Sequence, residues 1–120
     1  MKRIGLVVAT LLLAAGLTGC AAPPKPLYHW GGYQAQVYEH FKGDGKGPLE
    51  QLAALEAEQQ KARASGATLP PGYLAHMGLL SMKLGRDDDA RRYWQAEKAQ
   101  FPEAAPYLDP LLQRLGAPKS

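Results

Sequence analysis

A lone cysteine near the N-terminus, Cys20, limits what this chain can fold into. It follows two basic residues and an apolar run from Ile4 to Leu17, which is the layout of a secretory signal. The run is shorter than the roughly 20 apolar residues that span a bilayer, so we interpret residues 1–19 as a signal peptide rather than a transmembrane helix. Its removal leaves about 100 residues without an internal disulfide, which must be stabilised by packing as one small domain.

The tetrapeptide that ends at this cysteine, Leu17-Thr18-Gly19-Cys20, resembles the bacterial lipobox. In that motif the cysteine sulfur receives a diacylglycerol and the chain is cut just before the cysteine. The resemblance implies that Cys20 is lipidated and holds the mature protein on a lipid bilayer. Ala21 follows it, where an aspartate retains lipoproteins in the inner membrane of enterobacteria. We therefore expect the periplasmic face of the outer membrane.

The charge balance argues against one class of partner. The chain has fourteen Lys and Arg against eleven Asp and Glu, but Lys2 and Arg3 belong to the signal, so twelve basic residues remain and the mature chain is nearly neutral. Proteins that bind nucleic acids need clustered positive charge to neutralise phosphates. We therefore predict no nucleic-acid partner.

A proline-rich tether and an aromatic cluster follow the cysteine. The tether, residues 20–27, reaches about 25 Å when fully extended. The cluster contains Tyr28, Trp30 and Tyr33. These rings suit a partner contact or an anchor at the membrane interface. They also suit a clamp packed on the first helix of the domain, which we prefer because a small core needs large side chains.

Helical periodicity predicts an all-α domain over residues 28–116, with a short tail at 117–120. Glycine and proline positions divide it into about five short helices. The predicted helices lie near 33–42, 48–65, 72–84, 87–101 and 105–115. Their predicted apolar faces contain Tyr33, Val37 and Phe41; Leu49, Leu52, Leu55 and Ala62; Tyr73, Leu74, Met77, Leu80 and Leu84; Ala90, Tyr93, Trp94 and Phe101; and Leu108, Leu111, Leu112 and Leu115. Gln59 falls on the polar side of the second helix. No alternation of apolar and polar residues predicts a sheet.

Two helix ends carry more specific predictions. Asp87 or Asp88 is predicted to cap the fourth helix. Pro110 is predicted to kink the fifth helix or to delay its start, because proline lacks the backbone N–H that a helix interior uses.

The segment at about residues 72–103 resembles one tetratricopeptide repeat. Gly78 and Ala90 stand where small residues let the two helices approach, Trp94 where a large aromatic fills the space, and Pro102 where the repeat ends. Two positions depart from the pattern: Ser81 and Glu97. Because one repeat cannot bury its own face, we predict either a tetratricopeptide-like helical stack or a small irregular bundle.

The aromatic cluster also carries a family resemblance. Tyr28, Trp30, Gly31 and Tyr33 form a Tyr-x-Trp-Gly-x-Tyr motif soon after the cysteine. With this motif the chain resembles a family of short bacterial lipoproteins of unknown function, over nearly all of the mature chain. Members are often encoded beside a lipoprotein similar to the curli-secretion pore. The resemblance implies an envelope partner and assigns no activity.

The polar residues do not form a catalytic or metal-binding pattern. His29, His40 and His76 lack the His-Glu-x-x-His spacing, and His76 reads as a packed or surface side chain. Adjacent residues at 87–89 do not share a helix face, which argues against a metal site. The glycine-rich loop at 43–47 follows a helix, whereas phosphate loops follow a strand. We predict that the chain is not an enzyme, and we infer no cofactor, metal or small-molecule substrate.

Together these features predict a non-catalytic scaffold that binds another envelope protein, with a lipoprotein similar to the curli-secretion pore as one implied partner. The expected contacts are Tyr28, Trp30 and Tyr33 with the exposed side of the third helix, because helical repeats bind partners along one face. The alternative is an outer-membrane lipoprotein that regulates peptidoglycan synthesis. The short tether counts against this alternative because it limits the reach of the domain.

Overall fold

The computed structural model describes residues 2–16, 19, 24, 26–43 and 45–117. Most of these residues are helical, which confirms the all-α class. The predicted lipidation site at Cys20 and most of the predicted tether lie outside the described residues.

Six α-helices occur in the described part of the chain. They are α1 (Lys2–Gly16), α2 (Tyr33–Lys42), α3 (Pro48–Ser65), α4 (Tyr73–Lys83), α5 (Asp87–Gln100) and α6 (Ala105–Arg114), with a 3-10 turn at Pro102–Ala104. Helix α1 coincides with the predicted signal, and α2–α6 match the five predicted helices. Among the residues described, no helix is both long and apolar enough to cross a membrane.

Helix boundaries fall at glycine and proline as their chemistry requires. Helix α3 begins at Pro48, where the missing N–H of proline costs nothing in the first turn. It ends before Gly66, whose φ of +66° is the left-handed conformation that closes many helices. Gly43 ends α2 in the same way, with a φ of +77°.

The predicted cap of α5 is wrong, and of the two alternatives at Pro110 the delayed start is excluded, whereas a kink stays a prediction. Helix α5 begins at Asp87 with Arg86 as its N-cap, so neither Asp87 nor Asp88 caps it through its side chain. The acidic residues lie in the first turn, where they complement the positive end of the helix dipole. Helix α6 begins at Ala105 and continues through Pro110, so the proline does not delay its start.

The centre of the fold is the hairpin of α4 and α5. Helix α3 packs against α4, α2 against α3, and α6 against α5, so neighbours in the chain are neighbours in space. Most of α4 is buried, including Tyr73, Leu74, His76, Met77, Gly78, Leu80 and Ser81. One narrow side of α4 stays partly exposed at Ala75, Leu79 and Met82, with Lys83 exposed at its end, so contact of a partner with this side stays a prediction.

The hairpin is held together by a small residue facing a large one. A Cβ atom at Gly78 would overlap the indole ring of Trp94, which is fully buried. The Trp94 Nε1–H donates a hydrogen bond of 2.9 Å to the carbonyl of Ala75. Ala90 is also fully buried beside Trp94, and Leu108 of α6 completes this cluster. The predicted contact of small and aromatic residues between the two helices is present.

The predicted face of α2 is only partly correct. Tyr33 is half-buried, but Phe41 is 80% exposed. Eight residues advance a helix by two turns and about 80°, so Phe41 turns away from the side that Tyr33 packs. Gln36 occupies the buried side instead.

The predicted faces of α3 also need correction. Leu52, Leu55 and Ala62 are buried as predicted, whereas Leu49 in the first turn is 57% exposed. Gln59 is buried rather than on the polar side, because both α2 and α4 have contacts with α3.

Candidate functional site

The aromatic cluster begins in an arm, residues 27–32, that lies beside the C-terminal ends of α3 and α5. Tyr28 forms an isolated parallel bridge with Thr68, and the N–H of His29 donates a 2.7 Å hydrogen bond to the Thr68 carbonyl. The ring of Tyr28 meets that of Phe101 edge-on at 6.2 Å between centroids. The backbone bridge and this ring contact attach the arm to the helical stack.

The remaining rings of the motif continue this chain of contacts into the core. Trp30 lies 6.2 Å from Tyr33, and Tyr33 lies 5.1 Å from Tyr73 and 6.2 Å from His76. Tyr33 therefore packs on α4, as a clamp would, whereas Trp30 remains 43% exposed. Within the motif Tyr33 is packed and Trp30 is open to solvent. Contact of a partner with Trp30 stays a prediction.

The glycine of the motif makes a tight turn beside a charged cluster. Gly31 has a φ of +47°, and a Cβ atom there would lie 2.6 Å from Oε2 of Glu58. The same oxygen lies 3.1 Å from Nε2 of His29, and Lys61 Nζ donates a 2.6 Å hydrogen bond to Oε1. The hydrogen bonds from Lys61 and His29 lower the pKa of the Glu58 carboxyl. The positive φ of this turn favours glycine, and a side chain at this position would also displace the Glu58 carboxylate.

A buried carboxylate caps the start of α4 from another helix. Glu97 of α5 accepts a hydrogen bond from the N–H of Gly72, and the N–H groups of Leu74 and Ala75 also face it. Burial raises the pKa of Glu97, and burial together with the Glu97 charge raises the pKa of Tyr33. Glu97 is thus a positioning residue that supplies the acceptor a glycine N-cap lacks.

Two histidines meet between α2 and α4. The rings of His40 and His76 have centroids 5.1 Å apart, and Lys83 Nζ lies 3.5 Å from Nε2 of His40. Burial, with the nearby His40 and Lys83, lowers the pKa of His76 to about 4. Nε2 of His76 has no hydrogen-bond partner among the described residues. His76 is therefore a packed, neutral side chain at neutral pH.

The described residues bring together no group of three His, Cys, Asp or Glu side chains that would hold a metal ion. Of the three adjacent aspartates considered as ligands, Asp89 pairs with Arg92 one turn along α5. Ser81 is buried and donates a 2.8 Å hydrogen bond to the carbonyl of Met77. These polar side chains have structural partners within their own helices.

An open groove of about 470 Å³ separates α3 from α5. It is lined by Glu56, Gln59, Gln60, Arg63, Leu74, Arg92, Tyr93 and Ala96. The Tyr93 hydroxyl donates a 3.1 Å hydrogen bond to Oε1 of Glu56. Burial and the Glu56 charge raise the pKa of Tyr93 to about 12, so the phenol stays protonated. Guanidinium and amide groups here match the hydrogen-bonding groups of a polypeptide segment.

Sequence reasoning missed two of these features. Glu97 appeared only as a departure from the repeat pattern, although a helix that starts at Gly72 needs an acceptor from elsewhere. The groove had no signal in the sequence, because its two walls lie about 30 residues apart in the chain and meet only through packing.

A family model described as a domain of unknown function, DUF4810, matches residues 27–111. This span begins at the arm and ends within α6, so it covers the helical stack and the groove. Searches of curated proteins and of solved structures found no match. The expected membership of a family of unknown function is confirmed at this level: the chain belongs to the DUF4810 family.

Proposed function

We propose that this chain is a lipid-anchored, non-catalytic scaffold that binds another envelope protein at the periplasmic face of the outer membrane. The groove between α3 and α5 is the observation that carries the proposal. Arg63, Arg92 and Gln60 form a polar rim around the buried Leu74 and the ring of Tyr93. A polar rim around an apolar floor is the arrangement by which interfaces hold a short polypeptide segment.

We further infer that the α4–α5 hairpin is a single tetratricopeptide-like repeat. The close contact of Gly78 with Trp94, the burial of Ala90 and the position of Pro102 directly after α5 support this assignment. In that arrangement α3 extends the stack on one side and α6 covers it on the other. Stacks of this kind offer a continuous groove to peptides or partner helices.

The proposed anchor favours a partner in the same membrane. Seven residues, Ala21–Leu27, separate Cys20 from the bridge at Tyr28. They span about 25 Å, and a domain of this size adds a radius of about 13 Å. This reach suits another outer-membrane lipoprotein or pore better than a peptidoglycan synthase, which is the alternative partner.

A photo-crosslinking amino acid at Gln60, in the groove, tests the proposal in intact envelopes. The matched control carries the same group at Gln113, an exposed position on α6. We expect one envelope protein to be captured from position 60 and not from position 113. Arg63→Glu should reduce this capture, whereas Arg114→Glu, on the exposed end of α6, should leave it unchanged.

The identity of the captured protein separates the candidate functions. An outer-membrane lipoprotein or pore, captured only when Cys20 is intact, supports the scaffold. A peptidoglycan synthase would replace the scaffold with the regulator. Equal capture from both positions, or capture that survives Arg63→Glu, would contradict a role for the groove.

A further inference from the structure

Exposed apolar side chains are concentrated in the part of the sequence that follows the proposed anchor. In the described part of the chain from residue 26 to residue 117, six large apolar side chains are exposed. Five belong to the first 23 of these residues: Leu27, Trp30, Tyr38, Phe41 and Leu49. The sixth, Tyr107, lies on α6. Scattered exposed apolar residues are ordinary, but exposed apolar residues that share one helix face mark a contact surface.

The outward face of α2 is the regular part of this surface. Tyr38 and Phe41 are spaced by three residues and therefore lie on one side of the helix, 63% and 80% exposed. The inward side is occupied by Tyr33 and Gln36, which pack on the rest of the fold. Helix α2 thus packs through a side that contains Tyr33 and Gln36 and leaves a second side, with Tyr38 and Phe41, open.

We propose that this open face of α2, with Tyr38 and Phe41, rests on the lipid bilayer beside the anchor. The inference depends on the proposed lipidation of Cys20. Seven tether residues keep the arm within about 25 Å of the lipid, and Phe41 lies only about 12 Å further along α2 from Tyr33. A tethered surface meets the bilayer at high effective concentration, so even a weak contact is occupied.

The chemistry of the face matches a membrane interface. Tyrosine and tryptophan are enriched where headgroups meet acyl chains, and Trp30 lies exposed in the arm that leads to α2. Lys46 is paired with Glu50 at 3.8 Å, so the start of α3 carries balanced charge. The contact is therefore expected on neutral lipid as well, because apolar side chains rather than anionic headgroups supply it.

A spin label on the open face tests this contact directly. Cys20 is the only cysteine, and its sulfur is blocked in the lipidated protein, so an introduced cysteine is a unique labelling site. The purified lipidated protein is reconstituted into phosphatidylcholine vesicles with a nitroxide at Ala35→Cys, one turn before Tyr38 on α2. The matched control carries the nitroxide at Gln113→Cys on α6. Both positions are exposed.

We expect the label at Ala35 to be several-fold more accessible to oxygen than to a water-soluble nickel chelate, relative to the label at Gln113. The combined substitution Tyr38→Ser and Phe41→Ser should return the Ala35 label to the aqueous pattern. Both side chains are mostly exposed, so the fold should survive the change. Tyr107→Ser, an equally exposed change on α6, should have no effect.

Three outcomes would overturn the inference. An aqueous pattern at Ala35 on a protein whose mass confirms the lipid on Cys20 would remove the membrane contact alone. Shielding of this label from both reagents would assign the face to another protein molecule instead. An unmodified Cys20 in the intact mass would overturn both the anchor and this contact.

Discussion

The α4–α5 hairpin and helix α2 are attached to the same fold by different means. In the hairpin, Ala90 and Trp94 are fully buried and Gly78 leaves space only for the indole ring. Where α2 meets α4, the buried side chains include Gln36 of α2 and His76 of α4, and each has a polar atom without a hydrogen-bond partner in the described residues. On α5, Arg91 and Glu97 each have such an atom as well. The two helices of the hairpin share an apolar cluster, whereas α2 meets α4 through the ring of Tyr33 and the imidazoles of His40 and His76.

This difference predicts unequal local stability. Burying apolar area contributes roughly 25 cal/mol per Å², and Tyr33 is the one described side chain that α2 adds to the main apolar core. We therefore expect the hairpin to open only when the whole domain unfolds and α2 to open at lower free energy. The open face with Tyr38 and Phe41 lies on the less stable of the two regions, where contact surfaces can adapt to what they bind.

Replacing each of the two tryptophans by alanine should produce the largest difference in stability between the two regions. Trp94→Ala should lower the free energy of unfolding by about 3–5 kcal/mol, because it leaves a cavity in the hairpin. Trp30→Ala should cost about 1 kcal/mol or less, because its ring is already 43% exposed. Urea unfolding measures both variants, and similar m-values would show that only stability changed. Equal losses would contradict the division into a tight hairpin and a loosely attached arm.

Acidification should destabilise the domain through His76, which belongs to α4 and contacts His40 of α2. The pKa of His76 is about 4 in the folded protein against 6.5 ordinarily, so the unfolded chain takes up the proton first. The free energy of unfolding therefore keeps the full contribution of neutral His76 above pH 6.5. It falls by about 3 kcal/mol as the pH drops towards 4. Urea unfolding at pH 4.5 and 7 should show this loss, because His76 belongs to the hairpin and proton uptake by the unfolded chain acts on the whole domain.

The variant His76→Gln isolates this effect from the protonation of carboxylates. It should flatten the pH dependence between 6.5 and 4, whereas His29→Gln, at an ion pair near the surface, should retain it. The neighbours that disfavour a charged His76 are His40 and Lys83. An unchanged slope in His76→Gln would show that the buried imidazole is not the source.

A smaller loss of stability is expected from adding a methyl group at Gly78, where the two helices of the hairpin approach each other. Gly78→Ala should cost about 1–3 kcal/mol, because its methyl group overlaps the Trp94 ring and the helices must separate. The control Gly32→Ala places a methyl group where no atom lies within 4 Å. It should change the urea midpoint little. A tolerated Gly78→Ala would mean that the hairpin is as adaptable as α2.

The arm should show the smallest effect, and a local one. Gly31→Ala should cost about 1–2 kcal/mol, since a Cβ atom at a positive φ is strained. Exchange of the His29 amide, which bonds to Thr68, should become faster while the hairpin amides keep their protection. Loss of protection in the hairpin would instead make the arm part of the same cooperative unit.

Much of the helical framework was predictable from local chemistry. Gly43, Pro48 and Gly66 end or begin helices wherever they occur, because their backbone properties act within one turn. Periodic apolar residues placed Leu52 and Met77 in the core for a similar reason. The error at Phe41 arose because a short helix offers several apolar sides, and periodicity alone does not say which one packs.

The buried polar residues were not predictable in the same way. Glu97 lies 25 residues from Gly72 in the chain, and only the crossing of α4 and α5 brings its carboxylate to that N–H. His76 falls on an apolar helix, but its low pKa depends first on burial by the packed helices and then on the nearby His40 and Lys83.

The amino-acid sequence alone therefore establishes the lone cysteine, the number and positions of the helices, the small and aromatic residues of the hairpin, and the motif around Trp30. These features depend on residue type and spacing over a few positions. The packing of helices assigns the rest: the groove between α3 and α5, the cap from Glu97, and the face of α2 that stays open. Each of these depends on distances between residues far apart in the chain, which no local pattern encodes.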